Sequence, residues 1–167
     1  TLCLIPDVVN AINIPIIAAG GIVDGKSMLS AMILGADGVQ MGTRFVACKE
    51  SSAHESFKNL VLKAKEGDTK LTLKELTPVR MLNNNFYNEI VQLYQENASK
   101  EMLLNKLGKG RAKKGMFEGD LINGELEIGQ ASSQIKKIYG AAQIIKEIMN
   151  EFNKVKQQIN IESKFNF

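Results

Sequence analysis

The chain has 167 residues, 44% hydrophobic and 23% charged, the values of an ordinary globular domain with a sizeable core, which exclude wholesale disorder. Its formal charge of +3 is small and its basic residues are dispersed, against the concentrated basic face that nucleic-acid binding requires. No apolar stretch reaches the length of a membrane span, so neither nucleic acid nor a membrane is an expected partner.

The opening Thr1-Leu2-Cys3-Leu4-Ile5-Pro6-Asp7 carries no basic region and is not expected to be a signal peptide. It also lacks an initiating Met, which suits a chain that begins elsewhere. Pro6 to Ile12 places Val8, Val9 and Ile12 at helical spacing, with proline in the first turn. Ile14-Pro15-Ile16-Ile17-Ala18-Ala19 is a short apolar run stopped by Gly20-Gly21, the pattern of a strand buried on both faces. Asp24-Gly25 makes a turn, with Asp24 expected as a turn or helix-cap residue. Ser27 to Leu34 is an apolar helix that Gly35 ends. A second buried strand, Gly38-Val39-Gln40-Met41, runs into Gly42-Thr43. Strand, glycine turn, helix, strand, glycine turn is a βαβ unit with a parallel sheet, an α/β fold.

The character then changes. Ser52 to Lys65 has Phe57, Leu60, Val61 and Ala64 on one helical stripe, with His54 expected as an exposed or capping residue at its start. Lys70 to Leu73 alternates like a short strand, and Pro78 breaks the chain before Val79 to Leu82. Asn83-Asn84-Asn85 is a polar turn. Helices are predicted over Asn88 to Tyr94 and over Lys100 to Leu107, the latter ended by Gly108. Lys109, Arg111, Lys113 and Lys114 read as a solvated loop. Gly115 to Gly129 is a glycine-punctuated loop with a tight turn at Asn123-Gly124. Ala131 to Lys156 carries the apolar period of a long helix, interrupted or divided at Gly140, and the lysine-rich tail after Val155 is expected to fray. Cys3 and Cys48 lack metal-ligand spacing and have only His54 to join them. Both are expected as small buried hydrophobes in a reducing cytosol, with no metal site.

In α/β proteins ligands lie at the carboxyl ends of the strands, and two consecutive strands here end in glycine. A phosphate monoester needs several donors at close range, and backbone N–H groups supply them where side chains stay clear. Gly20 and Gly21 allow that approach at one strand tip. At the other, Gly42 allows it and the Thr43 hydroxyl adds a donor. Single glycines of this kind more often just make turns; the pair Ala-Gly-Gly-Ile and Gln-Met-Gly-Thr, with one helix between, points to a phosphate.

Ile14 to Ile22, followed by Gly35-Ala36-Asp37-Gly38-Val39-Gln40-Met41-Gly42-Thr43-Arg44-Phe45, resembles the last two strands of the 2-nitropropane dioxygenase-like superfamily. That group contains nitronate monooxygenases and the flavin-dependent enoyl-acyl-carrier-protein reductase II enzymes. Lys49 to His54, Phe57-Lys58 and Thr77-Pro78-Val79-Arg80 resemble the reductase branch more closely, and Gly129-Gln130-Ala131 resembles a Gly-Gln step common to both. The similarity runs over roughly the whole chain, strongest from Pro15 to Lys65.

The resemblance implies the C-terminal part of a (β/α)8 TIM barrel, its last two strands followed by a mostly helical subdomain. Residues 1–66 would be the last βα units, 67–128 an inserted, mostly helical subdomain, and 129–167 the C-terminal helices. It implies FMN as cofactor, its phosphate held by Gly20, Gly21, Gly42 and Thr43, with Gln40 and Met41 beside it. It also implies NADH or NADPH as reductant, an acyl-carrier-protein thioester as substrate, a homodimer and a cytoplasmic location. The alternatives are a nitronate monooxygenase on the same scaffold and a catalytically silent half-barrel. Such barrels take about 250 residues, and the family's catalytic histidine belongs to the earlier part, so no residue here is assigned its role. Arg44 is expected to turn away from the phosphate face. Arg80 and Asn83 line a substrate mouth or stabilise the insert, and Gln130 orients a loop over the flavin.

Overall fold

The structure is a computed structural model that describes residues 2–161. Its first part is a parallel βαβ unit. Helix α1 (Leu4–Ala11) leads into strand β1 (Ile17–Ala19), helix α2 (Gly25–Ile33) and strand β2 (Gly38–Gln40). The two strands pair in parallel, Ile17 with Gly38, Ala18 with Val39 and Ala19 with Gln40. Asp37 extends the pairing, its carboxylate accepting the Ile16 N–H at 2.7 Å. The turn into α2 is fixed by sequence. Asp24 accepts the Ser27 N–H at 2.8 Å while the Ser27 hydroxyl accepts the Asp24 N–H at 3.2 Å, satisfying two otherwise orphaned helix donors.

Alternation sorts the strand side chains. Ala18 is buried with Ile5, Ile22, Ala31 and Ala36, and Val39 and Met41 pack on the same cluster beneath the helices. Ile17 and Ala19 face the other way, and Ile17 is 59% exposed. The expectation of a strand buried on both faces is therefore corrected. In a two-stranded sheet helices cover one face, and no described element covers the other. β1 is also shorter than predicted, because the chain pairs only after Ile16.

After a four-residue turn of helix α3 (Thr43–Val46), helix α4 (Glu55–Lys63) starts at His54, later than predicted, since the His54 ring accepts the Ser56 N–H and marks the cap. The following segment contains more strand than expected. Strands β3 (Thr69–Thr72) and β4 (Val79–Leu82) form an antiparallel pair, and Met81 also bridges to Glu127. Helix α5 (Asn85–Gln95) begins three residues before the predicted Asn88, because Asn84 in the polar turn is its cap and accepts the Tyr87 N–H at 3.0 Å. Helix α6 (Lys100–Leu107) has the predicted limits. Leu73, Met81, Phe86, Ile90 and Leu103 close a core of their own between this hairpin and these helices.

The predicted loop after Gly115 opens on a π-helical turn, Lys113–Phe117. The long helix predicted from Ala131 is instead a 3-10 turn (Gln130–Gln134), an extended passage and helix α7 (Ala141–Ile161). The passage is extended because Tyr139 bridges to Cys48, and the Lys49 N–H donates to the Tyr139 carbonyl at 2.9 Å. Gly140 thus precedes α7, whose first N–H, that of Ala141, donates to the Glu50 carboxylate at 2.8 Å. That bond holds the Glu50 carboxyl below its ordinary range. α7 packs along α2 and continues to Ile161, past the point where fraying was expected. The tail from residue 162 onward lies outside the described residues. Cys48 is buried as expected, but Cys3 is exposed, because it sits in the surface turn before α1.

Candidate functional site

The pairing of Ala19 with Gln40 sets the two strand tips side by side, about 4.8 Å apart as hydrogen-bonded neighbours are. From there one strand enters Gly20-Gly21 and the other Met41-Gly42-Thr43. Gly20 and Gly21 have φ of +100° and +74°, a region in which side-chain-bearing residues are strained. A Cβ added at Gly20, Gly21 or Gly42 would meet nothing within 4 Å. These three glycines therefore face open space rather than neighbouring packing, and the backbone at both tips is accessible.

Gln40 shares the exposed face with Ala19, whereas Met41 turns its side chain down between two helix-side clusters, one of them built on Cys48, Ile144 and Ile148. What Met41 offers to the tips is its main chain. Thr43 is half-buried, and its Oγ1 accepts the N–H of Gly129 at 3.1 Å. That contact, between residues 86 positions apart in sequence, had no local signature.

Asp24, His54, Arg44 and Arg80 have structural partners. Asp24 caps α2 and His54 caps α4, each in the cap role expected of it. Arg44 lies in helix α3, where strand alternation does not apply, and its side chain reaches toward α7. Its side chain is 12% exposed and lies 4.0 Å from the Glu147 carboxylate, with a 3.4 Å bond to the Lys137 carbonyl. Arg80 donates to the Thr69 carbonyl at 3.0 Å and so ties the hairpin. Asn83 is exposed beside the hairpin, and Gln130 is exposed at the head of the 3-10 turn that packs on α3. Among the described residues no cluster of His, Cys, Asp or Glu suits a metal ion, and no helix is long and apolar enough to cross a membrane.

Sequence reasoning missed Glu125. Its carboxyl is buried beside Glu127, and burial first, then that neighbouring charge, pushes it up to about 7, with Arg111 pulling the other way. It lies in the segment facing β4 rather than at the strand tips. The alternation Glu125-Leu126-Glu127-Ile128 was its one local signal.

The nitronate monooxygenase family profile matches residues 1–151. A probable nitronate monooxygenase of Staphylococcus aureus (strain MSSA476) is 34% identical over 158 residues, 94% of this chain and 44% of that protein. FabK from Thermotoga maritima superposes with a TM-score of 0.88 at 38% identity, over 96% of this chain and 51% of that one. A nitroalkane oxidase from Streptomyces ansochromogenes gives 0.77 at 27% identity, over 95% and 45%. The chain thus spans about half the length of these relatives, and its α/β fold is theirs over that span. With a match across 151 of its residues, this chain belongs to the nitronate monooxygenase family.

Proposed function

We propose that the chain supplies the phosphate end of an FMN site in a flavin-dependent oxidoreductase, on the last two strands of a (β/α)8 barrel. The observation that carries this is the open pair of tips. Two parallel strands in register deliver Gly20-Gly21 and Gly42 side by side, and a Cβ added at any of the three would meet nothing within 4 Å. Convergent backbone N–H groups bind such anions strongly because ionised acceptors make the stronger hydrogen bonds. Gly20, Gly21 and Gly42 would donate main-chain N–H groups, and Thr43 would add its hydroxyl. Gln40, on the exposed face, would offer its amide toward the flavin ring, and Met41 its main chain.

FMN held there would supply hydride chemistry: NADH or NADPH would be the reductant, the β-carbon of an enoyl thioester would take the hydride and its α-carbon a proton, and the protein would position and shield the exchange. We favour that reductase role, on a thioester of acyl carrier protein, in a cytoplasmic homodimer. Supporting it is the 38% identity to FabK, against 27% to the nitroalkane oxidase. The 34% identity to a probable nitronate monooxygenase favours the second reading, oxidation of an alkyl nitronate with O2 on the same site.

The test uses the polypeptide as the cell produces it. FMN should bind with a perturbed flavin spectrum, and NADH or NADPH should then drive reduction of a crotonyl thioester without oxygen. Oxygen-dependent consumption of a nitronate, with no thioester reduction, would select the second reading. A protein that binds no FMN would remove both and leave a catalytically silent half-barrel.

A further inference from the structure

The contact between Thr43 and Gly129 has a direction. A hydroxyl carries one proton and two lone pairs. Here the oxygen accepts from the Gly129 N–H at 3.1 Å, so its own proton must point elsewhere, and it donates to no group among the described residues. Gly129 itself sits at φ −72° and ψ 157°, extended backbone that any residue adopts. Glycine is needed there for another reason, since a Cβ would lie 2.6 Å from Thr43 Oγ1. The demand is for proximity, not for conformation.

Gly129 is also held from both sides. The Ile128 N–H donates to the Arg80 carbonyl at 3.1 Å, and the Gly129 carbonyl accepts the Ser132 N–H at 3.0 Å. Ile128 is buried in the cluster with Ala47, Phe57 and Leu126. A segment anchored on the hairpin therefore reaches back to the second strand tip and touches its hydroxyl donor.

We propose that Gly129 is a positioning residue for the anion site: its N–H pins the Thr43 oxygen so that the hydroxyl proton is presented to the terminal phosphate of FMN. The inference rests on the flavin-phosphate reading above and assigns to the 129–134 step a role in cofactor selection. Without the pin, the Thr43 hydroxyl rotates freely, and a side chain at position 129 displaces it.

The readout is the preference for FMN over riboflavin, which differ only in the phosphate. Dissociation constants for both flavins are measured by fluorescence on the polypeptide as the cell produces it, for the wild type, Gly129→Ala, Thr43→Val, Thr43→Ser and the Gly129→Ala/Thr43→Val pair. Gly129→Ala should cut the FMN preference at least about tenfold, the lower end of the effect of losing one bond to a charged group, while riboflavin binding stays as it was. Thr43→Val should do the same, Thr43→Ser should keep the wild-type preference, and the double variant should be no worse than either single one. A Gly129→Ala protein with the wild-type preference, or one that loses both flavins equally, overturns the inference. So do losses that multiply in the double variant. If Gly129→Ala does not fold, a wild-type preference in Thr43→Val overturns it alone. A wild type that does not distinguish the two flavins overturns the flavin-phosphate reading and this inference with it.

Discussion

The strand-tip region and the hairpin–helix unit solve the same problem in opposite ways. Around β1 and β2, one face of a two-stranded sheet is packed and the other presents Ile17. Around β3, β4, α5 and α6, five large side chains are almost wholly buried, and Arg111 lies over the Phe86 ring at 4.6 Å from its centroid. The first region keeps its backbone open where a ligand would sit. The second spends its apolar residues on closure and holds the segment that reaches back to Thr43. A site that must admit a phosphate cannot also be packed tight, so rigidity has to arrive from outside it.

The largest effect should come from the closed side. Phe86→Ala is expected to cost about 3–5 kcal/mol, the range for emptying a fully buried aromatic site, read from urea midpoints. Ile17→Thr, which keeps the branched strand side chain, should shift stability by less than about 0.5 kcal/mol, as exposed substitutions do. The contrast breaks if Ile17→Thr costs as much as a core substitution, which would mean that its face is covered in solution.

A pH series sharpens the same comparison. Glu125 is buried in the closed side and its carboxyl is pushed from 4.5 up to about 7. Below pH 4.5 it is neutral whether the chain is folded or not. Between there and pH 7 the unfolded chain ionises first, so stability falls as pH rises, by on the order of 3 kcal/mol once the folded carboxyl is also charged. Glu125→Gln should therefore leave stability unchanged near pH 4, raise it at pH 8 and flatten the profile between. A wild type and a Glu125→Gln variant whose stabilities run parallel over this window would overturn the raised carboxyl.

What could be read from sequence divides along similar lines. Asp24 with Ser27, Ser99 before Lys100 and Gly108 after Leu107 are caps within a few residues of what they cap, and α2 and α6 follow them closely. The strand tips were legible because glycine and alternation are local. The rest depends on residues far apart. Nothing near Ile135 and Ile138 says that the chain is extended there, since the reason is a bridge from Tyr139 to Cys48. Likewise α7 is capped by Glu50, 91 positions away, and the pin on Thr43 comes from residue 129. Composition shows an apolar period; it cannot show which distant segment has claimed the backbone.

The smallest effect concerns the joint between the two regions, and it bears on the one histidine. His54 donates its N–H to the Met116 carbonyl at 2.8 Å, and its ring accepts the Ser56 N–H at 3.1 Å. A Cβ at Gly119 would collide with that ring, so Gly119, at φ +80°, both turns the chain and makes room. His54→Ala removes the cap and the ring but keeps the main-chain bond. It should cost about 0.5–2 kcal/mol, as lost helix caps do, and His54→Asn, which restores a capping oxygen, should recover most of that. FMN affinity and turnover should not change, because the ring is spent on α4 and Gly119 rather than on the strand tips. A turnover that falls tenfold or more in His54→Ala while stability holds would move the histidine from the joint into the chemistry, and the division between an open site and a closed support would have to be redrawn.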